Sequence, residues 1–263
     1  MKNYLDINRE SWDKKVEPHQ SSEFYFMEEF MAGKNSLNSI ELALMGDVKG
    51  KKILHLQCHF GQDSLSLARM GAKVTGVDFS PKAIERAKLL AKELGQEVDF
   101  ILSDVYQLPE VLKGEFDMVF TSFGVLGWLR SMKDWARVVS HFLKPQGKLF
   151  LIEFHPFVWM YDEDFTHLKY SYFNQGPIVE EFEGTYANRE ADIKNKYVSW
   201  NHPLSDIFSS LISADIELLD FKEYNYSPYD CFKQNKKIAD RKFQIPILGA
   251  GAPHVYSLVG VKK

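Results

Sequence analysis

The sequence predicts an α/β domain built around a mostly parallel sheet, and three observations carry that expectation. From Lys51 to Phe154, short apolar runs alternate with segments of helical period, the mark of successive βαβ units. Two of these runs, "VTGVD" and "FILSD", end in an aspartate, where a ligand crevice is expected in such sheets. Of the 263 residues, 45% are apolar and 14% aromatic, which suffices to bury one large core with decorations.

Residues 1–50 read as an N-terminal helical cap, polar but carrying Trp12, Phe24, Tyr25, Phe26 and Phe30. Residues 51–156 form the expected central unit. "KKILHLQ" is a strand, "QDSLSLARMG" a short helix ending at Gly71, and "AKVTGVD" the next strand. The helix "SPKAIERAKLLAKELG" has Ser80 as N-cap, Pro81 at its first position and Gly95 past its end. Its Ile84, Ala87, Ala91 and Leu94 share one face. "VDFILSD" and "FDMVFTSF" are strands three and four, and Ser131 with Asp134 cap the helix "SMKDWARVVSHFL". "KPQG" turns into the fifth strand, "KLFLIEF". Residues 157–200 alternate in polarity, as in "LKYSYFNQG", "IVEEFEGTYAN" and "KYVSWN", and predict an aromatic antiparallel β insert. Residues 201–263 complete the sheet: a helix "SDIFSSLISAD", a strand "IELLDFKEY", a loop-rich stretch, and a last strand "HVYSLVGVKK".

Charge and cysteine content exclude several functions. With 32 basic and 36 acidic residues the formal net charge is −4, and no basic block marks a nucleic-acid partner. The opening "MKNYLDINRESWDKK" lacks the apolar core of a signal peptide, and no later run suits a bilayer, so no membrane partner is expected. Cys58 and Cys231 alone give no disulfide framework, which fits a cytoplasmic protein.

The stretch "ILHLQCHFGQDSLSLA" admits two readings. His55, Cys58 and His59 have the donor types of a metal site. A strand sends alternate residues to opposite faces, however, and no C-x-x-C or helical His pair adds a further ligand, so no metal is expected. The other reading is a strand-loop-helix turn that cradles a cofactor. Asp78 ends the next strand, 21 residues after Gln57, near the usual interval to a ribose-binding carboxylate. A carboxylate there accepts both ribose hydroxyls, and Asp104 at the following strand end could accept from an adenine amino group.

With these residues in place the sequence resembles the class I S-adenosylmethionine-dependent methyltransferases that act on small molecules. The likeness runs from "KKILHLQCHFGQDSLSLARMGAKVTGVDFSP" through "DVYQLP" and "FDMVFTSFGVLGWL" to "LKPQGKLFLIEFHP", about half the chain. It implies a Rossmann-like, seven-stranded sheet whose last strand is antiparallel, and S-adenosyl-L-methionine as cofactor. It sets the methionine end against Gln57, Cys58, His59 and Gly61, the ribose on Asp78, and the adenine beside Phe79, Asp104 and Val105. Thr121, Ser122 and Phe123 would face the methyl-bearing side. The family pattern has an acid where His55 stands and glycines where Gln57 and His59 stand; Gly61 is kept.

Lost glycines count most against a nicotinamide-dependent oxidoreductase, whose pyrophosphate must approach the backbone closely. A non-catalytic cofactor-binding module with the same fold is the other alternative. Methyl transfer needs few catalytic groups, because alignment and exclusion of water supply most of the acceleration. Glu153, His155 and Tyr25 are candidates should the small-molecule acceptor need a base. Cys58 reads as a small buried hydrophobe. The insert reads as an acceptor-pocket wall or the face of a homodimer.

Overall fold

The computed structural model describes residues 3–263. Three helices precede the sheet: α1 (Tyr4–Gln20), α2 (Met27–Met31) and α3 (Ser39–Met45). Asn3 starts α1 by accepting the Asp6 N–H at 3.0 Å, satisfying one of the free donors of the first turn. The alternating part follows as β1 (Lys52–Leu56), α4 (Gln62–Arg69), β2 (Lys73–Asp78), α5 (Pro81–Glu93), β3 (Asp99–Leu102), α6 (Leu108–Val111), β4 (Phe116–Thr121), α7 (Met132–Phe142) and β5 (Leu143–Phe154). Two predicted caps are formed: Ser80 Oγ accepts Ala83 N–H at 3.1 Å, and Ser131 Oγ accepts Asp134 N–H at 3.2 Å.

After β5 come the hairpin β6 (Ile178–Glu183) and β7 (Lys194–Ser199), then α8 (Leu204–Ser213), β8 (Ile216–Tyr224), a small hairpin β9 (Lys236–Ala239) and β10 (Lys242–Gln244), and β11 (Val255–Lys262). The main sheet has seven strands in the order β3-β2-β1-β4-β5-β11-β8, with β11 antiparallel to both its neighbours. This is the Rossmann-like sheet with an antiparallel last strand, and the β6–β7 hairpin stands apart from it as a two-stranded antiparallel sheet.

Alternation along the strands builds a core on each face. Leu54, Leu56, Val119, Leu149 and Leu151 pack under Trp135 and Phe142 of α7 and Ile207 and Leu211 of α8. Ile53, Phe120, Phe150 and Ile152 face the other way, against Ile40 of α3 and Leu67 of α4. Strand order reverses between β1 and β4, so their carboxyl ends diverge and leave a crevice there.

Two details depart from the sequence reading, and a third gives form to a stretch read as loop with some local structure. "LKYSYFNQG" is not a strand: the N–H groups of Lys169 and Tyr170 both go to Met160 O, which folds the segment back as a loop. "KPQG" lies inside β5, as an excursion with Gln146 at φ 64° while the pairing with β4 shifts register. The loop-rich stretch before the last strand contains the β9–β10 hairpin.

Candidate active site

The loop after β1 keeps a glycine-like path without the glycines. Gln57 (φ 56°), His59 (φ 51°) and Gly61 (φ 81°) all occupy the left-handed region. For side-chain-bearing residues this costs about 1–2 kcal/mol each, so the loop must be held from outside. Cys58 N–H donates to Val77 O at 2.9 Å, His59 N–H donates to Asp78 Oδ2 at 2.9 Å, and Gln57 Nε2 donates to Val125 O at 2.9 Å. Only Gly61 is also required by space, since a Cβ there would lie 2.5 Å from the Phe100 ring.

Asp78 is buried at the end of β2, and its other oxygen accepts Ser80 N–H at 2.9 Å. Burial pushes its carboxyl up to about 6, against the pull of these backbone donors. Phe79 follows, its carbonyl accepting from Arg9 Nε of α1 at 3.3 Å. Asp104, after β3, accepts Tyr106 N–H at 2.6 Å and so starts a 3-10 turn over Val105–Gln107; Val105 itself is buried in the core. Burial raises the Asp104 carboxyl, opposed by Tyr106 N–H and by Arg130 and Arg9.

At the end of β4, Thr121 is fully buried, Ser122 and Phe123 are half-buried, and the Phe123 ring meets Tyr229 at 5.1 Å. The turn that follows is clamped by Glu153. Its carboxylate accepts the N–H groups of Gly124, Val125, Leu126 and Phe154 at 2.5–2.9 Å. That geometry gives Glu153 a part in shaping the loop. His155 is also committed: Nδ1 accepts Phe157 N–H at 3.1 Å, and Nε2 lies 3.0 Å from Glu223 on β8. Both carboxyl-end positions were legible, but their partners depend on strands distant in sequence.

Tyr25 does stand at the crevice. Its hydroxyl is 2.6 Å from that of Tyr186 in the insert and 3.4 Å from His19 Nδ1, while His19 Nδ1 lies 3.1 Å from His59 Nε2. Burial drives both imidazoles well below the usual histidine range, so both are neutral at pH 7. Beside them Lys15 is buried, with Nζ over the rings of Trp12 (4.4 Å), Trp128 (4.9 Å) and Phe182 (5.0 Å). Lys15, His19 and Trp128 escaped the sequence reading, whereas Phe182 and Tyr186 belong to the aromatic insert read there as an acceptor-pocket wall or dimer face. "SWDKK" looks like a solvated helix face, and only the docking of α1 against β7 turns that face inward. Asn8 fixes this docking, donating to Val198 O and accepting Val198 N–H, both at 2.8 Å.

His55 points away from this cluster: its Nδ1 is 2.8 Å from Ser64 Oγ and its ring lies against Phe120. Cys58 packs with Phe60 and Phe100, and burial holds its thiol protonated. Among the described residues no three His, Cys, Asp or Glu side chains are grouped to hold a metal.

A reversed strand order, a left-handed loop at the switch point and acids on the next two strand ends are the arrangement of a Rossmann-like α/β fold of the methyltransferase type. Residues 53–147 match the family model of a methyltransferase domain. Over 120 residues it is 33% identical to the ubiquinone biosynthesis O-methyltransferase of Xanthomonas euvesicatoria pv. vesicatoria, covering 44% of this chain and 50% of that protein. The chain therefore spans about half the length of the curated relatives it matches. It superposes on an S-adenosylmethionine-dependent methyltransferase from Mesorhizobium loti with a TM-score of 0.59 at 17% identity, over 88% of this chain and all (100%) of that one. Magnesium protoporphyrin IX methyltransferase from Synechocystis PCC 6803, solved with S-adenosylhomocysteine, superposes with a TM-score of 0.55 at 14% identity, over 99% of this chain and 100% of that one. At such identities the structural likeness speaks for the fold.

The residues present fit the cofactor of this class. Gln57 Oε1, His59 Nδ1 and Thr121 Oγ1 are buried at the strand ends without a hydrogen-bond partner. Unpaired buried polar atoms cost about 1–3 kcal/mol each, and a ligand carrying an ammonium, a carboxylate and hydroxyls supplies what they lack.

Proposed function

We propose that this protein is an S-adenosylmethionine-dependent methyltransferase acting on a small-molecule acceptor. The observation that carries the reading is the pairing of Asp78 with the left-handed loop Gln57–Gly61, which sets a buried carboxylate beside orphaned polar atoms at the switch point. Gln57, Cys58, His59 and Gly61 would line the methionine end. Asp78 would accept the ribose hydroxyls, and Phe79, Asp104 and Val105 would flank the adenine. Thr121, Ser122 and Phe123 would border the methyl side. When bound, the cofactor supplies an already activated methyl group on a sulfonium. The protein's own part is to bind, align and exclude water, for which the aromatic walls from α1, Trp128 and the insert are suited.

Tyr25 is the retained candidate for contact with the acceptor, because its hydroxyl joins the cap to the insert while its ring packs against Phe60 of the loop after β1. That β6–β7 and its flanking loops meet α1 over the crevice supports an acceptor-side role for the insert, rather than a dimer face. Calorimetry with S-adenosylmethionine and S-adenosylhomocysteine tests cofactor binding. Transfer of a labelled methyl group to members of a phenol, amine and carboxylic-acid panel tests the activity. A protein that binds neither form of the cofactor would sink the reading.

A further inference from the structure

Lys15 is out of place by ordinary rules. A buried ammonium is normally paired with a carboxylate, yet among the described residues none forms an ion pair with Lys15, whose Nζ lies over the rings of Trp12, Trp128 and Phe182. Tyr197 closes the box behind Trp128 (5.4 Å) and Phe182 (5.3 Å), with its hydroxyl turned away to Glu180. Four elements build this cage: α1, the loop after β4, and both strands of the insert hairpin. It adjoins the crevice directly, since the Trp12 ring meets the His59 ring at 5.2 Å.

The ionisable groups facing Lys15 are neutral. On its own helix His19 is coupled to it, and in the loop after β1 so is His59; its charge depresses both. The insert and the loop after β4 present only aromatic faces. Ring quadrupoles attract a cation but do not replace water around three N–H donors. Desolvation brings the Lys15 amine down to about 7, so at neutral pH its charge is poised between present and absent.

We propose that the cage and the neighbouring crevice hold one positive charge at a time, so that a cationic methyl donor binds with release of the Lys15 proton whereas its neutral demethylated form does not. This rests on the cofactor reading above and adds to it a residue that discriminates donor from spent cofactor. The physical basis is mutual repulsion. At an effective dielectric of about 20, two unit charges within about 10 Å oppose each other by more than tenfold in affinity. Reciprocity then makes donor binding and Lys15 protonation antagonistic to the same degree.

Calorimetry at pH 6 and pH 8, in buffers of different ionisation heat, reads both affinity and proton release. For wild-type protein, S-adenosylmethionine should bind about tenfold more weakly at pH 6 than at pH 8, after the change seen with S-adenosylhomocysteine is divided out. Titration of Asp78 affects both ligands and cancels in that ratio. Lys15→Met should abolish the differential. Lys15→Arg, charged at every pH, should bind S-adenosylmethionine weakly at both pH values and S-adenosylhomocysteine normally. Equal pH dependence and equal proton release for the two ligands in the wild-type protein would overturn the proposal, even if both variants fail to fold. Absence of binding by either ligand would instead remove the cofactor reading, and this proposal with it.

Discussion

The carboxylate of Asp78 accepts the backbone N–H of His59 at 2.9 Å, so the acid that ends the second strand also holds the loop after the first. One side chain therefore serves two purposes. It stabilises a backbone that side-chain-bearing residues resist, and under the proposed function it would also accept the hydroxyls of the cofactor ribose. Asp78→Ala should weaken S-adenosylmethionine and S-adenosylhomocysteine binding ten- to a hundredfold, as expected for a charge-assisted hydrogen-bond pair of about 1.5–3 kcal/mol. The ionised carboxylate is the accepting form, and burial raises the group to about 6. Wild-type affinity for both ligands should therefore fall as pH drops through 6. An unchanged Kd for Asp78→Ala in calorimetry would refute the ribose assignment.

The left-handed path through His59 makes an unusual stability order. His59→Gly and His59→Ala both lose the ring contacts with Trp12, His19 and Phe60. Glycine alone is unstrained at φ 51°, so His59→Gly should be the more stable of the two by about 1 kcal/mol. Thermal melts of the pair decide it. Alanine above glycine would mean that the loop relaxes out of this conformation.

Glu153 should behave as a clamp. A glutamine offers one accepting oxygen where the carboxylate offers two, which leaves at least one of the four N–H groups unpaired. Glu153→Gln should lower stability by about 1–3 kcal/mol. Burial raises the folded-state carboxyl to about 7, above its ordinary 4.5. The sign follows: its contribution is most favourable below 4.5 and is lost as pH rises through 7. Denaturant melts should thus show a shallower loss of stability between pH 5 and 8 in Glu153→Gln than in the wild type. A variant with wild-type stability and no methyl transfer would support Glu153 as a catalytic candidate.

Within the insert, Tyr186 and Tyr170 should separate. Tyr186 pairs with Tyr25 over the crevice, whereas Tyr170 turns to Glu180 on the hairpin. Tyr186→Phe is expected to cut methyl transfer several-fold while leaving cofactor Kd within about twofold, the loss of one hydrogen bond being worth about 0.5–1.5 kcal/mol. Tyr170→Phe should change neither. Alternation along a strand makes Tyr170 and Tyr172 equivalent, but their segment is a loop, and Tyr172 accepts Leu204 N–H at the start of α8 instead. Equal effects of Tyr186→Phe and Tyr170→Phe on transfer would place the acceptor elsewhere.

What the sequence determined by itself was the alternating frame and the chain positions of its strand ends. Apolar runs of period two, helices of period 3.6 and the caps at Ser80 and Ser131 are local signals, and local sterics and burial suffice to express them. Asp78 and Asp104 were legible because a strand end is a position in the chain as much as in space. The tertiary structure alone decided what those ends meet. Glu153 and His155 occupy strand ends too, yet backbone donors from the turn after β4 and a carboxylate from β8 engage them. Lys15 and His19 read as polar helix residues, and Asn8 pairing with Val198, 190 residues away, turns them into the interior. The glycine-like course of Gln57 and His59 was hidden for the same reason. A residue's intrinsic preference opposes φ near +50°, and only contacts from Val77, Asp78 and Val125 outweigh it.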